Sequence, residues 1–466
     1  MARALRQTQL DEAAIASMKA VFRGDLIGPD DSRYDDLRRV FNAAVDRRPA
    51  LIARPVDVGD IQTALRFGID HRLEIAVRGG GHHGAGFGTT ENGLVIDLGR
   101  LRGIRVDPDE RTVRVEPGCT LADLDQATHA FGLAVPTGIF GTTGIAGLAL
   151  GGGVGHLTRR HGLTIDNMLE ADVLLASGEL VTASDTANAE LFWAIRGGGG
   201  NFGIVTSFLF RAHPVSTIVG GPTLYELDQA ETVLRWYRDF MPAAPPELNG
   251  FFAFLTVPPA PPFPEHLHLK KMAGIVWCYS GDPASAAEVF APIHAFGPPA
   301  LDGIQPMPFP VLQTAFDPLY PAGLRWHWRA DFVTTIPDDA VSEHVRFAAT
   351  LPTWLSGMHL YPIDGAAHDR DEADTAFSYR EARWAQVMVG VDEDASTGAQ
   401  TAAWTTAYWE ALHGYSAGGA YVNMYMDEGQ GRVRKSYRAN FDRLVRAKVQ
   451  FDPDNVFRLN QNIRPD

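Results

Sequence analysis

The chain has 466 residues, 45% of them hydrophobic and 21% charged, with 41 basic against 56 acidic side chains for a formal net charge of −15. That length exceeds one ordinary core, so two or three domains are expected. The acidic balance argues against nucleic acid and against an anionic membrane surface. No apolar run reaches the roughly 18 residues that span a bilayer, and residues 1–8 lack the apolar core of a signal peptide, so the expected location is cytoplasmic. Cys119 and Cys278 lie far apart, offer neither metal spacing nor a disulfide framework, and read as small buried apolar residues.

Residues 1–45 are mixed and polar, with helical spacing at 10–21 and again at 34–45. From Leu51 the pattern becomes strand, helix, strand: an apolar run at 51–55, a helix at 58–71 capped by Asp57, then a strand at 73–77. A buried strand follows at 94–98, then a hairpin of 104–106 and 112–115, then a helix capped by Thr120 with Leu121, Leu124 and Ala127 on one face. After residue 215 prolines cluster, and strands such as 251–257 and 273–278 alternate with helical patterns. Residues 441–466 read as a basic amphipathic helix and a tail.

Three glycine-rich words interrupt this pattern. The first is Arg78-Gly79-Gly80-Gly81-His82-His83-Gly84-Ala85-Gly86, directly after a β-branched strand. Glycines there let backbone N–H groups approach a ligand with no Cβ in the way, and a histidine at the exit is placed for chemistry on that ligand. The second runs from Thr137 and Gly138 to Gly155, nearly twenty positions of small residues that cannot fill a core and suit backbone laid along a large flat ligand. The third is Arg196-Gly197-Gly198-Gly199-Gly200-Asn201-Phe202-Gly203, leading into Ile204 and Val205. None sits in a clean βαβ unit with an acidic residue about 20 positions on, which counts against a Rossmann dinucleotide fold. There is no G-x-x-x-x-G-K-[ST] word either. Together the three suit an extended dinucleotide cofactor threaded through one domain.

These words resemble the berberine-bridge-enzyme-like branch of the vanillyl-alcohol oxidase superfamily. The match rests on R-G-G-G-H at 78–82, T-G-x-x-x-x-x-G-x-x-G-L-x-L-G-G-G-x-G at 137–155, R-G-G-G-G-N-F-G-I-V at 196–205, Tyr421-Val422-Asn423, and the tail word at 452–463. The resemblance spans about residues 40–466. It implies an α+β fold: a PCMH-type FAD-binding domain of two packed α+β subdomains, plus a substrate domain with a large antiparallel sheet flanked by helices. The implied division is an N-terminal helical segment (1–40), the FAD-binding domain (41–215), the substrate-binding domain (216–430) and a C-terminal segment returning to the FAD domain (431–466).

In that family the histidine ending the first word is bonded through its ring to the flavin methyl carbon. The resemblance places His82 there, with His83 second. The cysteine that makes a second link in many relatives is Phe140 here, so one covalent bond to FAD is expected, through His82 only. Three positions on, Thr143 stands where a small residue permits oxygen and a bulky one hinders it. The wider set implied to hold FAD is Arg78, Gly79, Gly80, Gly81, Gly86, Pro117, Thr137, Gly138, Thr142, Gly144, Gly147, Leu150, Gly151, Gly152, Gly153, Gly155, His156, Asn167, Gly203, Ile204, Val205, Asn460 and Asn462.

For the catalytic base the resemblance offers tyrosines. Tyr437 matches one of its positions, although Ser436 and Arg438 depart from the usual neighbours; Tyr421 and Tyr379 are the other candidates. A tyrosine hydroxyl titrates near ~10, so acidification by Arg438, Arg434 or Arg380 would help. His156, Arg159, Arg160 and His161 form a basic cluster with no carboxylate or cysteine at ligand spacing, and no metal is expected.

The reading is an FAD-dependent oxidoreductase that takes a hydride from an alcohol, sugar or secondary metabolite and is reoxidised by oxygen, giving hydrogen peroxide. The expected partners are a small-molecule substrate and oxygen, without nucleic acid or membrane, in a monomer or homodimer. Two alternatives stand beside it: a dehydrogenase with another acceptor, and a flavin-binding protein without turnover.

Overall fold

The computed structural model describes residues 10–465, so the expectation for residues 1–8 lies outside the described residues. Its first sheet has four strands in the spatial order Asp25–Ile27, Leu51–Arg54, Leu94–Asp97, Ile75–Arg78. The last three are parallel, and Asp25–Ile27 closes the edge antiparallel to Leu51–Arg54. The N-terminal segment is therefore not simply helical. After the helix Glu12–Lys19, its chain enters the sheet because the buried Asp60 carboxylate accepts the Arg23, Gly24 and Val56 amides. Of the helical spacing at 34–45 only Tyr34–Leu37 forms a helix. The chain beyond is drawn out by side-chain bonds to distant carbonyls, with Asn42 donating to Gly84 and Trp326.

The helix Val58–Asp70, capped by Asp57 as expected, crosses over between Leu51–Arg54 and Ile75–Arg78, with Leu94–Asp97 inserted between those strands. A βαβ crossover is thus present. What separates it from a Rossmann unit is that no helix follows the glycines after Arg78; the next element is Leu94–Asp97.

A second sheet of five antiparallel strands follows, ordered Ile104–Asp107, Thr112–Val115, Ile204–Arg211, Met168–Leu174, Leu180–Ser184. The helix Leu121–His129 starts on a reciprocal cap in which Thr120 and Asp123 satisfy each other's backbone amides. Cys119 and Cys278 are both buried and unbridged.

From Thr217 onward the chain builds an antiparallel sheet of eight strands, with Lys271–Tyr279, Leu248–Thr256, Gly357–Pro362 and Trp384–Asp392 at its centre. Side chains alternate between its two faces. Phe252, Phe254, Met358, Leu360, Trp384 and Met388 pack on one side with the helices Ala230–Phe240, Asp338–Ala348 and Gly398–His413. Phe251, Ala253, Tyr361, Val387 and Val389 face the glycine-rich domain and share its core. Both faces are buried, which is why these strands read as continuous apolar runs.

The tail returns as the helix Phe441–Phe451. It is less basic in effect than its sequence: the Lys448 ammonium is fully buried, paired with Asp452 at 2.6 Å and donating to the carbonyls of Asn201 and Phe457. This contact fixes the tail to the third glycine word. The α+β architecture expected from the sequence is the one found.

Candidate active site

A cleft open to solvent lies between the inner face of the eight-stranded sheet and the glycine-rich domain. All three glycine words reach it. Arg78, at the end of its strand, is buried and donates to Asp97 at 3.1 Å and to the carbonyls of Leu37 and Arg39, so the strand end entering the first word is held rigidly. Gly79, Gly80, Gly81, His82 and His83 then line the cleft. From the second word Gly138, Phe140, Thr143, Gly144, Gly147 and Leu150 line it, and from the third Gly203, Ile204 and Val205, joined by Asn460 of the tail.

The two histidines differ. His83 is engaged at both ring nitrogens: Nδ1 accepts the Ala85 amide at 3.1 Å, and Nε2 lies 3.4 Å from the Val422 carbonyl. His82 stacks on Phe41 at 4.0 Å between ring centres, and its Nδ1 lies 3.5 Å from the Thr143 hydroxyl. Burial pushes the His82 imidazole down to about 4, so it is neutral at physiological pH and keeps a nucleophilic lone pair. Phe140 fills its corner by edge contacts with Phe316 and Tyr320.

Eleven residues of the implied FAD set do not line the cleft: Gly86, Pro117, Thr137, Thr142, Gly151, Gly152, Gly153, Gly155, His156, Asn167 and Asn462. Most do packing work behind it. A Cβ on Gly153 would stand 1.9 Å from Thr164 Oγ1, and one on Gly155 2.0 Å from the Thr137 carbonyl, so these glycines let the second word fold onto itself. Asn167 donates to the carbonyls of His161 and Leu163 and pairs with His213 at 2.6 Å. His156 is buried with neither nitrogen bonded.

The three tyrosines part company. Tyr421 lines the cleft; its hydroxyl oxygen accepts from the Gly153 amide at 2.8 Å and from Asn423 Nδ2 at 3.0 Å, and burial pushes it up to about 12. Tyr437 lines it too, donating to the Gly197 carbonyl at 3.3 Å, with its hydroxyl held well above the usual range by burial. Tyr379 does not reach the cleft: its hydroxyl donates to the Lys435 carbonyl at 2.8 Å and Arg438 lies over its ring. The expected acidifying cations are also committed elsewhere. Arg380 holds Asp166 in a two-pronged pair, Arg438 pairs with Glu381, and Arg434 pairs with Asp442 at the surface. None acidifies Tyr421 or Tyr437.

The sequence reading missed the sheet residues of the opposite wall. His359, Tyr361, Val387 and Val389 come from neighbouring strands of the large sheet, while Tyr320, Trp326 and Trp328 close the end. The signal was the spacing of two between His359 and Tyr361, which puts both on one strand face.

The sequence comparisons agree with this geometry. A family model described as FAD binding domain matches residues 49–184, and one described as berberine and berberine like matches residues 420–464. An FAD-linked oxidoreductase of Dictyostelium discoideum is 30% identical over 445 residues, covering 92% of each chain. The chain belongs to the berberine-bridge-enzyme-like FAD-linked oxidoreductases. A xylooligosaccharide oxidase of Thermothelomyces thermophilus is 28% identical over 469 residues, 91% of this chain and 89% of that one. The solved 6-hydroxy-D-nicotine oxidase of Arthrobacter nicotinovorans shares the fold with a TM-score of 0.86, at 24% identity over 96% of this chain and 98% of that one. This oxidoreductase is therefore an FAD enzyme, and its residues fit the cofactor. The cleft has backbone from three glycine words along one side, apolar Leu148, Ile139 and Val154 beside them, and a buried Asn460 Oδ1 with no partner among the described residues. Among those residues no helix is long and apolar enough to cross a membrane.

Proposed function

We propose that this FAD-linked oxidoreductase takes a hydride from a hydroxyl-bearing carbon of a small organic substrate, carries its flavin on His82 alone, and returns the electrons to oxygen as hydrogen peroxide. FAD supplies the two-electron acceptor. The observation that carries the reading is the setting of the paired histidines: burial keeps both neutral, but His82 stacks on Phe41 with Nδ1 3.5 Å from the Thr143 hydroxyl, whereas His83 Nδ1 already accepts the Ala85 amide at 3.1 Å. Phe140 occupies the position of the second link, which supports one bond to the flavin rather than two.

The rest of the chain binds and orients. Gly79, Gly80 and Gly81, Gly138, Gly144 and Gly147, and Gly203 offer backbone to the cofactor, Arg78 steadies the first word, and Leu150 and Asn460 close around it. The rings of Tyr320, Trp326 and Trp328 exclude water from the substrate end and favour an aromatic compound or a sugar ring. Of the three tyrosines, Tyr421 and Tyr437 stand where a substrate could touch them, and Tyr379 is withdrawn. Support for oxygen as acceptor comes from Thr143, which is small, and from relatives whose names end in oxidase.

The test is anaerobic reduction of the purified holoenzyme by a panel of aromatic alcohols and oligosaccharides, followed by admission of air. Rapid reoxidation with one peroxide per flavin is the expected result. Slow reoxidation would make the enzyme a dehydrogenase, and a flavin that no substrate reduces would leave only a binder.

A further inference from the structure

The short segment Phe41-Asn42-Ala43 runs between the first glycine word and Arg325–Val333, the edge strand of the large sheet, and is bonded to both. On the glycine side the Phe41 amide donates to the Gly81 carbonyl at 3.1 Å, and the fully buried Asn42 donates to the Gly84 carbonyl at 2.7 Å. On the sheet side Asn42 Nδ2 donates to the Trp326 carbonyl at 3.0 Å, and the Trp326 amide donates back to Asn42 Oδ1 at 2.8 Å. The Ala43 amide adds a bond to the Leu324 carbonyl at 2.9 Å. Residue 41 is thus anchored on both sides. Its ring lies face to face with His82, 4.0 Å between centres and 16° between planes, and packs against Trp326 at 5.4 Å. Phe41, His82 and Trp326 all line the cleft.

An imidazole lone pair lies in the plane of its ring, and the Cβ–Cγ torsion that turns a histidine ring is broad. A ring free to turn is aimed at any one atom for only part of the time, whereas a parallel aromatic face fixes its plane. We infer that Phe41 is the positioning residue for flavin attachment, its ring setting the plane in which His82 meets the flavin methyl carbon. The inference rests on the His82 link proposed above and adds what makes that link form. In the step itself a ring-nitrogen lone pair forms the N–C bond and one methyl C–H bond breaks. Protons leave from that carbon and from the imidazole N–H, and the two C–H electrons pass into the flavin ring. Oxygen then takes those electrons up as hydrogen peroxide. Burial keeps His82 neutral, as attack by its lone pair requires. Phe41 has no polar side-chain atom and takes part in none of these transfers, so its contribution is orientation alone.

The test uses full-length protein produced under riboflavin limitation and then supplied with FAD in air. Samples taken over time are acid-precipitated, and flavin is read in pellet and supernatant. Phe41→Leu keeps an apolar side chain but loses the flat face, and should attach flavin about tenfold more slowly than wild type while binding as much FAD in total. Phe41→Tyr restores the face and should attach at the wild-type rate. Phe41→Met carries the same comparison where Phe41→Leu does not fold. Total bound FAD and the melting temperature are measured on the same samples. Equal attachment rates in wild type and Phe41→Leu would overturn the inference. So would bound and attached flavin lost in the same proportion, or a failure of both variants to fold, because each makes Phe41 a structural residue only. Flavin that wild type releases on acid is a different failure: it overturns the His82 link itself, whereas a linked wild type with an indifferent Phe41→Leu overturns the role of Phe41 alone.

Discussion

Gly80 and Gly144 meet backbone to backbone. A Cβ on Gly80 would stand 2.4 Å from the Gly144 amide nitrogen, and one on Gly144 would stand 2.3 Å from that of Gly80. Residues about sixty positions apart thus form one continuous edge of the cofactor cleft, and neither can take a side chain without moving the other. Gly144→Ala should cost about 1–3 kcal/mol, as overpacking usually does, and should lower flavin content. Thermal unfolding and the ratio of visible to ultraviolet absorbance report the two effects. Full flavin content with unchanged melting would show that the contact is not tight.

Arg78 and Asp97 end neighbouring parallel strands and pair at 3.1 Å with both side chains almost fully buried. Removing one partner of such a pair leaves an uncompensated charge and costs about 3–5 kcal/mol. Asp97→Asn leaves the buried Arg78 without its counter-ion and should destabilise by that order, whereas Arg78→Met should cost less because Asp97 keeps Arg54 at 3.1 Å. Chemical denaturation measures it, and a change below about 1 kcal/mol for Asp97→Asn would contradict the assignment.

His156 gives the protein an acid limb. Its ring is 2% exposed, neither nitrogen has a partner, and burial holds it down to about 4 against an ordinary 6.5. Between those values the unfolded chain binds a proton that the native one refuses, so stability falls as the pH drops from 6.5 toward 4. The full difference is about 3 kcal/mol for this residue. His156→Phe should flatten that part of the stability profile, read as the denaturation midpoint at several pH values. An unchanged slope would show that His156 does not contribute.

Much of this was legible in the sequence because it is local. Glycine words, the Thr120 cap and the absent cysteine at Phe140 are written in adjacent residues, and the α+β order follows from periodicity. The failures came from long-range contacts. Tyr379 sits in a plausible basic neighbourhood, but Arg380 is spent on Asp166, 214 positions away in sequence. His156 and Asn167 lie in or near a cofactor word yet turn into the core behind it. Lys448 reads as one more surface charge until Asp452 and two distant carbonyls enclose it. The wall of His359 and Tyr361 exists only once four strands from different parts of the chain lie side by side.

Lys448 also makes a prediction for the tail. Its ammonium is bonded to Asp452 and to the carbonyls of Asn201 and Phe457, and burial lowers its pKa. Lys448→Met leaves the Asp452 carboxylate buried without its cation and should cost about 3–5 kcal/mol. The tail should loosen from the third glycine word, seen as faster proteolysis near residue 455 and weaker flavin retention. Wild-type resistance to proteolysis would argue against this clamp.

The central claim is that the flavin is carried by His82 alone. Acid precipitation of wild type, His82→Ala and His83→Ala, followed by visible spectra of pellet and supernatant, tests it most directly. The account predicts a yellow pellet for wild type and His83→Ala, and flavin released into the supernatant for His82→Ala. Flavin released from wild type, or retained in the His82→Ala pellet, would contradict it.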